Sequence, residues 1–388
     1  MKSLQSVKFK DFIQLQRGFD LPKYDIVTGP YPVIGSTSVI GYHNQFKVEP
    51  PGVITGRSGS LGQLQFIREK YWPHNTSLWV RDFKGNYPRY VYYFLKSLDL
   101  SNFNSGAGVP TLNRNHLDTM ELFIHPLSDQ YRIAAILSAY DDLIENNSQR
   151  IKLLEKMAQA IYREWFINFR FPGYECVQMV ESEQGPVPDG WEIRKLGDIA
   201  EEVRRNVEPN MVHSDTPYFG LEHIPRKSIA LSEWGFAKDV QSTKHQFIKG
   251  EILFGKIRPY FHKVGVAPVD GVCSSDAIVI RPKKSEYFGL VLFCVSSEDF
   301  VSQATQTSQG TKMPRANWNV LVNYPVVIPP KALLDEFNNI ASDMVDLIIT
   351  KIFQNANLRR TRDLLLPKLI SGELDVSELD IRIPEAEA

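Results

Sequence analysis

The chain has 388 residues, of which 43% are hydrophobic, 11% aromatic and 23% charged. That length exceeds a single core at the usual ~100–200 residues per domain, and that composition excludes a disordered, collagen-like or membrane-embedded chain. Forty-four Lys and Arg against 45 Asp and Glu leave a net charge of -1, so a polyanionic partner would have to be met by local basic patches.

Residues 1–126 are predicted to form a first domain, with 14 basic and 9 acidic side chains. The start, MKSLQSVKFKDF, has no apolar core followed by a small-residue cleavage site, and no apolar run approaches the ~18 residues of a membrane span. The expectation is a cytoplasmic protein with no membrane association. Runs at 52–55 and 76–80 are β-branched or aromatic and bounded by Gly, Pro and Asn, which suits strands; 87–99 suits a short helix. Gly56-Arg-Ser-Gly59 follows the first strand, and residues 105–115 form a second loop containing Gly and Pro.

From 128 to 166 apolar residues fall alternately four and three apart: Ile133, Leu137, Tyr140, Ile144, then Asn147, then Ile151, Leu154, Ala158, Ile161 and Trp165. This is a coiled-coil heptad. Residues 127–170 are therefore predicted as one helix, whose periodic part from 128 to 166 would at ~1.5 Å per residue run about 58 Å and need a partner along its length.

Residues 171–329 hold a Gly-, Pro- and acid-rich linker at 172–188 and then a second domain, with 17 basic and 19 acidic side chains across the whole stretch from 172. Strands are predicted at 251–254 and 277–281 and a short helix at 286–300. Residues 330–371 repeat the long helix, with Phe337, Ala341, Met344, Ile348, Lys351, Asn355, Leu358, Arg362, Leu365 and Leu369 at the seam positions. Lys351 and Arg362 interrupt that seam, and Pro367 should kink or end the helix. Residues 372–388 form an acidic tail with Asp375, Glu378, Asp380, Glu385 and Glu387.

The two halves match each other. At a constant offset of 204, Gly106 aligns with Gly310, Pro110 with Pro314, Asn113 and Asn115 with Asn317 and Asn319, Leu117 with Leu321, Pro126 with Pro330, and Leu154 with Leu358. Further upstream Gly56-Arg57 resembles Gly255-Lys256, and Asp11-Phe12 resembles Asp198-Ile199. The expected fold is mixed α/β: two globular domains separated by two long antiparallel helices in a coiled coil, related by a pseudo-twofold that brings Asn147 to Asn355. A buried Asn pair lowers stability but fixes register. The alternative is two amphipathic helices, each packed on its own domain.

No catalytic constellation stands out. Gly56-Arg-Ser-Gly-Ser-Leu-Gly62 lacks the lysine of a phosphate loop, the eight histidines make no ligand pair at helical spacing, and no Asn/Asp-Pro-Pro-Tyr/Phe signature of an amino-methyltransferase occurs. Cys176, Cys273 and Cys294 support neither a disulfide framework nor a zinc ribbon. No catalytic residue, metal or cofactor is assigned to the chain. What repeats is polar and loop-borne: Arg57 and Ser58 after one strand, Lys256 and Arg258 after its counterpart, and Arg114, Gln309, Lys312 and Arg315 in the second repeated loop. Long cations on such loops reach phosphates or the O6 and N7 of guanine. The shared Gly, Pro and Asn residues suit turns and caps, and the unshared ones differ as readers of two different sequences would. Each could also be a solvated surface residue. Arg204-Arg205 and Lys283-Lys284 suit phosphate contacts or solubilising charge.

GPVPDGWEIRKLGDI at 185–199, AIYREWFINF at 160–169 and LLPKLISGEL at 365–374 resemble the specificity subunits of type I restriction-modification enzymes. The resemblance covers nearly the whole chain and implies a non-catalytic subunit in which each recognition domain reads one half of a bipartite, asymmetric target in double-stranded DNA. It further implies that the helices set the gap and dock two modification subunits carrying S-adenosylmethionine, joined by ATP-driven restriction and translocase subunits. The competing expectation is a polypeptide with its own restriction or modification chemistry.

Overall fold

The four-and-three spacing folds as helix Leu127–Phe166 and its repeat as helix Lys331–Ile370, 40 residues each. The computed structural model describes residues 4–58, 61–98, 100–103, 112, 117–182 and 185–381. Pro367 does not end the second helix, which continues to Ile370. In the last turn the missing amide removes a single ladder bond, and Ser371 N–H still donates to the Pro367 carbonyl at 2.9 Å.

The chain divides into two units whose boundary cuts both long helices: residues 1–143 with 358–388, and residues 144–357. In the first unit an antiparallel four-stranded sheet runs in the order Gln14–Arg17, Ser77–Asp82, Gly52–Gly56, Leu64–Ile67. A three-stranded sheet is centred on Tyr31–Ile34, and Gln5–Lys8 pairs antiparallel with Glu121–Ile124. Helix Pro88–Ser97 buries Tyr90, Tyr93 and Phe94 in a core shared with Phe9, Phe12, Leu78, Ile133, Leu137, Leu366 and Leu369. His125 Nε2 donates to the carbonyls of Leu369 and Ile370 at 2.9 and 3.1 Å, and Asp141 meets Arg362 at 2.5 Å. Because the partner number falls as the other rises, the helix segments of this unit are antiparallel.

The second unit repeats the plan. Its antiparallel four-stranded sheet runs Ala200–Glu202, Ala277–Pro282, Ile252–Gly255, Val264–Val266, and Glu192–Lys195 pairs antiparallel with Pro325–Ile328. The short helix expected at 286–300 is two, Phe288–Val295 and Glu298–Gln306. The stretch expected as a linker carries a small hairpin, Met179–Val180 with Val187–Pro188. The helix segments are again antiparallel, since Trp165 meets Phe337 at 5.7 Å between ring centroids and Asn147 Nδ2 donates to Asn355 Oδ1 at 3.1 Å. Asn355 Nδ2 also donates to Ser148 Oγ at 3.3 Å, so the amide expected to pair across the seam does so with its donor satisfied.

The duplication is visible bond by bond. Gly56 N–H donates to the Gln63 carbonyl as Gly255 N–H does to Lys263; Arg57 N–H to Thr76 as Lys256 N–H to Asp276; Leu112 N–H to Arg57 as Ala316 N–H to Lys256. Outside this shared frame the units differ, the second carrying a five-stranded sheet where the first has three strands.

Candidate nucleic-acid interface

In the second unit the strand Ile252–Gly255 is followed by Lys256, whose carbonyl accepts from Ala316 N–H at 2.8 Å. Gln309 and Arg315 exchange both backbone bonds, at 3.0 and 2.9 Å, and Ile257 bridges to Arg315 from the other side. This local pairing brings Lys256, Gln309 and Arg315 into one cleft of about 350 Å³ with Glu202, Arg204 and Trp318. Arg258 has left-handed backbone, with φ of 49°; its N–H donates to the Pro314 carbonyl at 2.7 Å and its Nη2 to the Lys312 carbonyl at 3.4 Å. Arg258 and Lys312 therefore brace the loop from beside the cleft.

Three cations face this cleft against the Glu202 carboxylate, which Arg204 already holds at 2.6 Å. Asp276 faces Arg315, accepting from its Nε at 3.3 Å. The field is felt at His245, whose ring is pushed below its ordinary value of 6.5 first by burial and then by the Lys256 ammonium. A site of this charge and hydrogen-bonding capacity suits an anion carrying base-edge acceptors.

In the first unit Arg57 occupies the position equivalent to Lys256. Its carbonyl accepts from Leu112 N–H at 2.9 Å and its Nη1 donates to the Asn75 carbonyl at 3.4 Å; Ser58 follows it, partly buried. Arg114 lies outside the described residues. Sequence reasoning missed Asp276 and Glu202. The signal available for Asp276 was its equivalence to Thr76, which the drifting upstream offset hid.

The seam residues are used within the chain. Ile133, Leu137 and Leu369 are buried in the first unit, and Ile144, Ile151, Trp165, Phe337 and Ile348 in the second. Tyr140, Leu154, Ile161, Met344, Leu358 and Leu365 are half-buried. The large apolar side chains left outside include Leu143 and Leu347, 54% and 49% exposed, which the offset of 204 makes equivalent.

Burial pushes the Cys273 and Cys294 thiols up to about 12, away from nucleophilic use at neutral pH. Among the described residues no group of three metal-ligating side chains gathers, and no helix is long and apolar enough to cross a membrane.

A duplicated frame presenting different polar loops defines a class of DNA-specificity proteins. Residues 1–156 and 188–333 match the type I restriction modification DNA specificity domain, and the chain belongs to that family, the non-catalytic DNA-recognition component of type I restriction-modification systems. It is 26% identical over 309 residues to the MjaIX specificity subunit of Methanocaldococcus jannaschii, covering 76% of this chain and 71% of that one. It is 25% identical over 377 residues to the EcoDI specificity subunit of Escherichia coli, covering 89% and 83%. The fold is shared with the S subunit of a type I system from M. genitalium, at a TM-score of 0.65 and 14% identity over 95% of this chain and 97% of that one. None of these matches supports a chain with its own restriction or modification chemistry.

Proposed function

We propose that the chain reads an asymmetric bipartite target in double-stranded DNA, with 1–126 and 171–329 as the two readers, the helices at 127–170 and 330–371 as spacer and scaffold, and 372–388 as an acidic tail. The observation that carries this reading is the pair of identical backbone hydrogen-bond plans around Arg57 and Lys256, each presenting different side chains. One frame with two sets of side chains suits two different half-sites. Arg57, Ser58 and Arg114 are assigned to the first half-site and Lys256, Arg258, Gln309, Lys312 and Arg315 to the second, Arg258 and Lys312 by shaping the loop.

Chemistry is delegated to partners in the cytoplasm: two modification subunits holding S-adenosylmethionine, and restriction and translocase subunits using ATP. Two equivalent leucines, Leu143 and Leu347, exposed on the two long helices, support docking of two copies of one partner. The test is binding by the complex reconstituted with modification subunits. The bipartite motif should be bound at least ~10³-fold more tightly than a scrambled duplex, and Arg57→Ala or Lys256→Ala should each lower the salt slope by about one. Equal affinity for motif and scramble would refute the reading.

A further inference from the structure

We propose that Arg315, held by Asp276, reads a guanine in the half-site facing the second unit. This deepens the DNA-recognition reading above and rests on it.

Base readout by arginine needs a guanidinium fork fixed in direction, whereas a phosphate can be met by any mobile cation. Arg315 is fixed twice. Its backbone is stitched on both edges: Arg315 N–H and carbonyl to Gln309, Pro314 carbonyl to Arg258 N–H, and Ala316 N–H to the Lys256 carbonyl. Its side chain is then tethered at Nε by the Asp276 carboxylate, 39 residues away in sequence. With Nε occupied, the two terminal nitrogens are left to offer a pair of donors from a side chain that is 51% exposed and lines the cleft. Guanine presents two acceptors, O6 and N7, at the matching spacing in the major groove. Holding the fork in advance lowers the side-chain entropy lost on binding.

The other cations of this region are not so placed. Arg204 is 64% exposed and turned onto Glu202, two residues back on the same segment. Arg258 is spent on the Lys312 carbonyl and lies over the Phe261 ring. Lys256 offers a point charge without a fork. The internal repeat adds an independent observation: the offset of 204 sets Thr111 against Arg315, and the shared hydrogen bond sets Thr76 against Asp276. Reader and tether change together between the halves, as a functional pair would.

The experiment uses the complex with modification subunits. Its motif is first mapped from methylated bases in the host genome, and each guanine is then replaced in turn by 7-deazaguanine, which keeps pairing but loses the N7 acceptor. One guanine is expected at which the replacement weakens wild-type binding roughly tenfold or more. Arg315→Ala and Arg315→Lys should both lose sensitivity at that position alone, and methylated-base mapping should show the motif relaxed there. Asp276→Asn should lose part of that sensitivity with scrambled-duplex binding undiminished. If Arg315→Ala weakens motif and scramble equally and every 7-deazaguanine response survives, Arg315 is a phosphate contact and the inference falls while DNA recognition stands. If the wild-type complex does not discriminate the motif from scramble, both fall.

Discussion

In the first unit the two long helices meet across charge, and in the second the equivalent places meet across hydrocarbon. Arg362 Nη1 lies 2.5 Å from Asp141, whose other oxygen accepts from Tyr93 Oη at 2.5 Å. The repeat sets Ala158 against Arg362 and Val345 against Asp141, both nearly fully buried. Two turns before Val345 in the same helix, the Phe337 ring lies 4.7–6.3 Å from the rings of Tyr162, Trp165, Phe166 and Phe293. Gly289 approaches so closely that a Cβ there would stand 2.6 Å from Ala341 Cβ. At the register where the first unit has an ion pair, the second has two buried apolar side chains. The apolar version offers more burial; the ionic version is specific, because either partner alone would be stranded.

The largest expected effect breaks the aromatic cluster around Phe337 in the second unit. Phe337→Ala should cost the second unit about 3–5 kcal/mol, read as an earlier urea transition, with the first unit little affected. A smaller effect breaks the ionic junction. Arg362→Ala should cost about 2 kcal/mol, below the fully buried figure because both groups retain some solvent contact at 14% and 19% exposure. Converting the junction to its counterpart, with Arg362→Ala, Asp141→Val and Tyr93→Phe together, should recover stability to within ~1 kcal/mol of the parent. A triple variant worse than the single one would show that the junctions are not interchangeable.

The smallest effect concerns Glu155, buried at 6% exposure in the second unit and accepting from Ser228 Oγ, Ile229 N–H and Ala230 N–H at 2.6, 2.8 and 3.1 Å. Burial holds its carboxyl above the ordinary 4.5, against the pull of those hydrogen bonds. A raised carboxyl binds its proton more tightly in the folded state. Its contribution is therefore full below the unfolded value and is lost as pH rises through the folded one. The urea midpoint of the parent, relative to Glu155→Gln, should fall as pH rises from about 4 through the mildly acid range. A difference that stays flat with pH would refute this.

Much of the helical frame was legible because a heptad repeats its demand every turn, and one polar residue among apolar ones, Asn147, is conspicuous. The strands Ile252–Gly255 and Ala277–Pro282 declared themselves by β-branched and aromatic runs between turns. What stayed hidden was non-local. Arg362 read as an interruption of the seam, since its partner Asp141 stands outside the apolar series and 221 residues away. Asp276 came to Arg315 only through the fold, and Leu143 and Leu347 drew no notice because they sit off the seam. Pro367 was overrated as a helix breaker because one absent ladder bond matters little in a final turn.

The division of the chain has a consequence for its synthesis. The second unit is continuous from 144 to 357, whereas the first is closed only by residues from 358 onward, among them Leu366, Leu369, Ile370 and Val376 of its core. On the ribosome the part encoded first cannot complete its core until residues from 358 onward emerge, while the part encoded later needs none of them. The usual order of vectorial folding, amino end before carboxyl end, is reversed here, and that incomplete core is where a nascent chain of this design most needs a chaperone.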